Sequence, residues 1–212
     1  MASQVFSGSG DPNGVVFGIP GDLYQDQTGA LWLNVAAPSS WIQFAPTSLA
    51  HQLTVATGGT PDYTSIKDAV DAAVAAGATT TNPYNVLVSA GVYNENPFTV
   101  PAGVIVSTEA VSSGGVIVNA NNPNVDLITL SGSTLVGLIL QNVTDPAAAL
   151  IRVTGGAFLL NCRWRKCSTG IAITAAGAIV GLINCGIQIN GPGQAVTTGL
   201  LVQGGARAGL SN

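Results

Sequence analysis

From Val86 onward the apolar positions fall in short runs separated by turns of small residues. Val86-Leu87-Val88, Val104-Ile105-Val106 and Val116-Ile117-Val118 come first. After residue 126 the pattern can be aligned with itself. Leu127-Ile128-Thr129-Leu130, Leu150-Ile151-Arg152-Val153, Ile171-Ala172-Ile173-Thr174 and Leu200-Leu201-Val202-Gln203 recur as corresponding strands, the last interval being the longest. Each is followed by a turn, at Ser131-Gly132, Gly155-Gly156, Ala176-Gly177 and Gly204-Gly205. A second apolar run then follows at Val136–Leu140, Phe158–Leu160 and Ile179–Ile183, and Asn161-Cys162 recurs one period on as Asn184-Cys185. Short strands repeating every twenty-odd residues predict a solenoid. Stacked coils would place Val, Ile and Leu in inward columns. An Asn at a repeated bend would bond to its neighbour one coil away and satisfy turn backbone groups. The fixed Leu/Asn consensus of leucine-rich repeats is absent, and the remaining alternative is a β-sandwich with coincidental spacing.

Two other patterns precede the repeat. Ser65-Ile66-Lys67-Asp68 has the S-x-x-D form of a helix start. Ile66, Ala69, Val70, Ala73 and Val74 then recur at helical spacing, and Gly77 supplies the stop. Earlier still, residues 1–45 hold Phe6, Phe17, Tyr24, Trp32, Trp41 and Phe44, six of the twelve aromatics. Leu23 and Leu31 flank an Asp/Gly-rich turn and predict a hairpin, with Trp41-Ile42-Gln43-Phe44 as a third alternating strand. Three strands of this size are marginal alone. The patch therefore calls for a partner surface or copies of itself, with Leu23, Tyr24, Trp32, Trp41 and Phe44 as contact residues. Residues 46–63 read as linker and lead-in strand, His51 as linker.

Composition narrows the class. Of 212 residues 47% are hydrophobic and 8% charged, against about 25% charged in an average soluble domain. Disorder and a coiled coil are excluded. Mean hydropathy is +0.43, yet no apolar run approaches the roughly 18–20 residues that span a bilayer. Met1-Ala2-Ser3-Gln4 shows neither a basic nor an apolar signal segment, so synthesis in a cytoplasm is expected. A net charge of −4 argues against a nucleic-acid partner. One His and three Cys lack metal-site spacing, so neither metal nor cofactor is expected. Cys162 and Cys185, one coil apart, would be neighbours. A disulfide needs Cα atoms roughly 4.4–6.8 Å apart, and free thiols are the reading preferred.

Candidate chemistry is sparse. Glycan hydrolysis needs two carboxylates about 5–9.5 Å apart, and after residue 120 only Asp126 and Asp145 are present. They differ in phase and read as turn residues, which leaves them weak catalytic candidates. Arg163-Trp164-Arg165-Lys166 holds three of the six basic residues. On a strand Arg163 and Arg165 share one face and Trp164 takes the other. A Trp beside cations could stack a sugar and pair with an acidic glycan. A solvated strand with Trp164 in a subunit contact is the plainer reading.

The run from Thr57-Gly58-Gly59-Thr60-Pro61-Asp62-Tyr63 through Ala73, with Val86-Leu87-Val88-Ser89-Ala90-Gly91-Val92-Tyr93-Asn94-Glu95, resembles the opening of pectin-lyase-like right-handed parallel β-helices. In these a helix caps the first coil and a V-x-V-x-x-G-x-Y strand opens it. The resemblance covers about residues 52–212 and concerns fold rather than activity. Gly18 to Trp32 is similar to G-x-P-G-D-L-Y-x-D-x-x-T-G-x-L-W modules of bacteriophage tail fibres and spikes, with one residue fewer between Asp26 and Thr28. Together these imply an all-β protein in three parts: a virion-attachment or oligomerisation module (1–45), a linker and lead-in strand (46–63), and a capping helix with a parallel β-helix (64–212) that stops mid-rung. They also imply a homotrimeric tailspike or fibre on the virion, bound to other tail or baseplate proteins and contacting host surface polysaccharide. The alternatives are a polysaccharide lyase or hydrolase, and an architectural decoration or collar fibre without ligand.

Overall fold

The computed structural model describes residues 5–9, 12, 16–17, 23–26, 31–36, 40–45, 51–109, 115–188 and 195–211. The chain divides into two compact units, 1–50 and 51–210. In the first, β1 (Val5–Gly8), β2 (Leu23–Asp26), β3 (Leu31–Ala36) and β4 (Ser40–Ala45) form one sheet in that order. The meander β2-β3-β4 is antiparallel, with Tyr24 opposite Trp32 and Asn34 opposite Trp41. Strand β1, which the alternation did not predict, runs parallel to β2. The expected turn after Asp26, and residues 46–50 of the expected linker, lie outside the described residues.

The second unit opens with β5 (His51–Val55) and α1 (Ile66–Ala75). His51 belongs to the sheet rather than to a linker. It pairs with Tyr84, and the two rings stack with centroids 4.5 Å apart. In α1 the Ser65 hydroxyl accepts from the Asp68 N–H at 3.2 Å, the bond expected of an N-cap. Ile66, Ala69, Val70 and Ala73 are buried, whereas Val74 is exposed. Gly77, at φ +87°, ends the helix in the left-handed region open to glycine.

The rest is an all-β parallel solenoid of about five turns. Its coils are β6 (Tyr84–Val88), β7 (Gly91–Glu95), β8 (Phe98–Pro101); β9 (Val104–Thr108), β10 (Val116–Ala120), β11 (Ile128–Ser131); β12 (Ser133–Val136), β13 (Leu138–Val143), β14 (Ala149–Val153); β15 (Ala157–Leu160) with the long, bent β16 (Arg163–Ile173); and β17 (Ile179–Ile183), β18 (Gly186–Ile187), β19 (Val196–Val202). Strand β20 (Arg207–Ser211) follows and lies on β17. The strand pairs among β5 to β19 are all parallel. Buried columns result: Val86, Val106, Leu135, Leu159 and Leu182 stack in one, and Tyr93, Val118, Leu140 and Trp164 in another. Each coil shields the apolar groups of the next, which is why an unbroken sequence of Val, Ile and Leu suits a parallel stack.

Two alignments made from the sequence shift. The run Val136–Leu140 is not one strand, because Gly137 (φ +79°) turns the chain from β12 into β13. A Cβ there would lie 2.2 Å from the Thr108 hydroxyl. The coil containing Ile171 also slips by one residue: Ile151, not Leu150, stacks on Ile171. Leu150 and Ile151 are both buried, so hydrophobicity carries no register mark at that point. The second runs are offset too, Val136 pairing with Leu160 and Phe158 with Gly181, whereas the repeated bend keeps its expected register. Asn161 and Asn184, both left-handed, stack at one bend, and the Asn184 amide donates to Asn161 Oδ1 at 2.6 Å.

Glu95, at the end of β7, joins the first coil to the helix. Its buried carboxylate accepts from the Ile66 N–H at 2.7 Å, the Ser65 hydroxyl at 2.9 Å and the Lys67 N–H at 3.4 Å. Desolvation raises its pKa above the ordinary 4.5 despite the lowering pull of these three donors. A carboxyl raised on folding binds protons more tightly in the native state. Its contribution is therefore fully present below the unfolded pKa and is lost as pH rises above 4.5 toward the higher folded value. Glu95→Gln keeps an acceptor for Ile66 and cannot ionise. Its stability relative to the parent should climb as pH increases from 4.5, read from urea midpoints at successive pH values; a pH-independent difference would refute this.

Candidate functional site

The outward side of the β7-β10-β13-β16 sheet carries the surface that best fits a binding role. Strands alternate their side chains, so Tyr93, Val118, Leu140 and Trp164 point inward while Asn94, Asn119, Gln141 and Arg165 stack outside them in register. The polar groups bond in sequence along the solenoid. The Asn119 amide donates to Asn94 Oδ1 at 3.0 Å, the Gln141 amide donates to Asn119 Oδ1, and Arg165 Nε donates to Gln141 Oε1 at 2.6 Å. All bonds run one way, so each polarises the next, and the ladder terminates in a guanidinium. In the adjoining register column Val92 is exposed, Ile117 half-buried and Ile139 buried, and the column continues to Arg163. Along the ladder itself Asn94 is exposed, Asn119 and Arg165 are half-buried and Gln141 is buried.

Structure redistributes the basic run. Arg163 and Arg165 do share the outer face. Trp164, expected as a candidate sugar platform, is 5% exposed and packs in the core. Its ring lies against Gly170, where a Cβ would come 2.4 Å from Cδ1. This corrects the expectation: the apolar ring completes an inward column and presents no face to a ligand. Arg163 is committed to holding two coils together, donating to the Cys162 carbonyl at 3.1 Å, to the Asn184 carbonyl, and to Asn184 Oδ1 at 3.3 Å. Arg165 ends the ladder. Lys166, half-buried at φ +50°, stands beside it. Among the described residues no carboxylate forms an ion pair with any of these three cations.

The two acids stand apart in role. Asp126 accepts from the Ala149 N–H at 2.8 Å and pairs with Arg152 through both Nε and Nη2. That partner holds the Arg152 pKa above its ordinary value. Asp145 closes its own turn by accepting from the Ala147 N–H at 2.7 Å, while its backbone N–H donates to the Pro123 carbonyl. Each oxygen pattern is that of a corner stabiliser. In the first unit Tyr24 is buried and Trp32 half-buried. The side chains of Leu23, Trp41 and Phe44 lie outside the described residues.

Asn94, Asn119 and Gln141 escaped the sequence reading. Their signal was present: Tyr93-Asn94, Val118-Asn119, Leu140-Gln141 and Trp164-Arg165 each place a polar residue directly after an inward apolar one. The unequal lengths of successive coils hide this recurrence from a fixed period.

No family model matches the chain, and no curated protein matches it. Among solved structures it is similar to a pectin methylesterase from carrot, at 17% identity and a TM-score of 0.44, over 77% of this chain. The chain spans 64% of the length of that enzyme.

Proposed function

We propose that the protein is a bacteriophage tailspike or tail fibre, whose first unit attaches to the virion and whose solenoid, a right-handed β-helix, contacts host surface glycan without cleaving it. The observation that carries the glycan half is the outward ladder of Asn94, Asn119, Gln141 and Arg165, open at Asn94 with Val92 exposed beside it, while Asp126 and Asp145 are bound as corner stabilisers. Amides and a guanidinium hydrogen-bond hydroxyl and carboxylate groups. A polymer lying along the axis would meet Asn94, Asn119 and Arg165, with Gln141 buried between them. The phage half is supported by the module-like run from Gly18 to Trp32 placed ahead of a helix-capped solenoid.

The test combines native mass with binding. Light scattering on the full chain should give the mass of three chains. A panel of bacterial surface polysaccharides should include one that binds saturably with no release of reducing ends or unsaturated products. Turnover would favour the lyase or hydrolase, and a trimer without glycan binding would leave an architectural fibre. A monomer would overturn the spike reading. Arg165→Ala should weaken the glycan about tenfold, the loss of about 1.4 kcal/mol expected for one charged hydrogen bond, measured by calorimetric titration. An unchanged affinity would remove Arg165 from the contact.

A further inference from the structure

Cys162 and Cys185 occupy the same bend of consecutive coils, and bonds on both sides hold them level. The Asn161 N–H donates to the Ile183 carbonyl at 3.0 Å, and the Asn184 amide donates to Asn161 Oδ1. Just beyond, the Gly186 N–H donates to the Cys162 carbonyl at 3.1 Å, and Arg163 bridges the Cys162 and Asn184 carbonyls. In such in-register pairing the Cα atoms stand about 4.8 Å apart, inside the roughly 4.4–6.8 Å that a disulfide spans. Cys185 Sγ leans onto the coil below, 3.2 Å from the Leu159 carbonyl, which is the coil that holds Cys162. Both thiols are free in this structure; Cys162 is buried and Cys185 half-buried. We propose that Cys162 and Cys185 form a dithiol that a low-molecular-weight disulfide oxidises to an inter-coil disulfide, fastening the fifth coil to the fourth.

The order of attack follows from the surroundings. Cys185 is the more accessible sulfur. Its thiolate is favoured by the hydrogen bond shared with Cys162 and by the neighbouring Arg163, while that same shared bond and complete burial hold the Cys162 thiol up. Cys185 Sγ attacks the small disulfide, forming a mixed disulfide and expelling one small thiolate. Cys162 then loses its proton and attacks Cys185 Sγ, forming the protein disulfide and expelling the second thiolate. Two protein thiols are oxidised and one small disulfide is reduced to two thiols. Cys167 does not take part. It pairs with Val143 and Val196 on neighbouring coils, and burial pushes its thiol up to about 12. The pair would stay reduced in a cytoplasm and close in oxidising surroundings.

The experiment incubates the folded full chain with oxidised glutathione and then counts thiols in denaturant. The count should fall from three to one, with a mass loss of two hydrogen atoms and a single cross-linked peptide joining residues 162 and 185. Cys162→Ser should stop at one glutathione on Cys185, and Cys185→Ser should leave Cys162 unmodified, each variant retaining the parent's circular dichroism spectrum. Three titratable thiols after oxidation, a glutathione adduct that persists in the parent chain, or a cross-link to Cys167 would each overturn the proposal.

Discussion

Trp164→Ala should destabilise the solenoid by about 3–5 kcal/mol, the usual loss when a buried aromatic is deleted. Trp164 fills the column between Leu140 and Ile187, covered on one side by Gly170 and Gly199. Removing it leaves a void that coils pinned above and below cannot close. Trp164→Phe should cost less, because the buried indole N–H has no partner among the described residues and no hydrogen bond to them is lost with it. Urea midpoints separate this role from glycan contact. A sugar platform would leave the midpoint where it was and weaken binding; a core residue lowers the midpoint and leaves the affinity of the folded fraction unchanged. Unaltered stability in Trp164→Ala would contradict the placement of the ring.

Gly103→Ala should cost about 2–5 kcal/mol, from two sources that act together. Gly103 sits in the turn between β8 and β9 at φ +85°, where an L-residue costs about 1–2 kcal/mol. Its added Cβ would also fall 2.2 Å from the Thr79 carbonyl carbon and 2.3 Å from its oxygen. Backbone cannot rotate away as a side-chain tip can, and overpacking of that kind typically adds about 1–3 kcal/mol. Gly177→Ala is the matched control: its φ is +75°, but nothing lies within 4 Å of the new atom, so only the conformational cost of about 1–2 kcal/mol remains. Equal losses at the two sites, in chemical denaturation of both variants, would show that the Thr79 contact relaxes freely.

The repeat was legible because a parallel stack selects one residue class at each inward position, and Leu, Ile and Val recur there whatever the corners do. The helix was legible for a local reason, since its cap, its buried stripe and its stop are all written within Ser65–Gly77. What escaped depends on distant pairing. The parallel partner of β2 lies at Val5–Gly8, and nothing local announces it. Gly137 reads as a residue within an apolar run until Thr108 is seen beneath it. The basic run was read correctly for its alternation and incorrectly for its availability. Period two said that Trp164 opposes Arg163 and Arg165, but which face is the inside follows from Leu140 and Val118 in neighbouring coils. Arg163 is saturated by Asn184, a partner one coil away that no window around Arg163 contains. The amide ladder has the same character: each rung is ordinary alone and acquires meaning from the rung above it.

Coil length varies while the columns stay aligned. Tyr84 stacks on Val104, Ile105 on Thr134, Ser133 on Ala157 and Ala157 on Val180. Of these advances along the chain the first is the shortest and the second the longest. All of that variation is absorbed at corners, such as the exposed stretch from Asn121 to Val125. A single residue added inside β13 would turn every following side chain on that strand to the opposite face, whereas doubling the length of a corner costs only about 0.6 kcal/mol in closure entropy. The molecule is therefore extensible at its edges and intolerant along its walls. New loops can be inherited, exchanged or grafted at the corners without renegotiating the interior, so the outer relief of the solenoid is free to diversify faster than its walls.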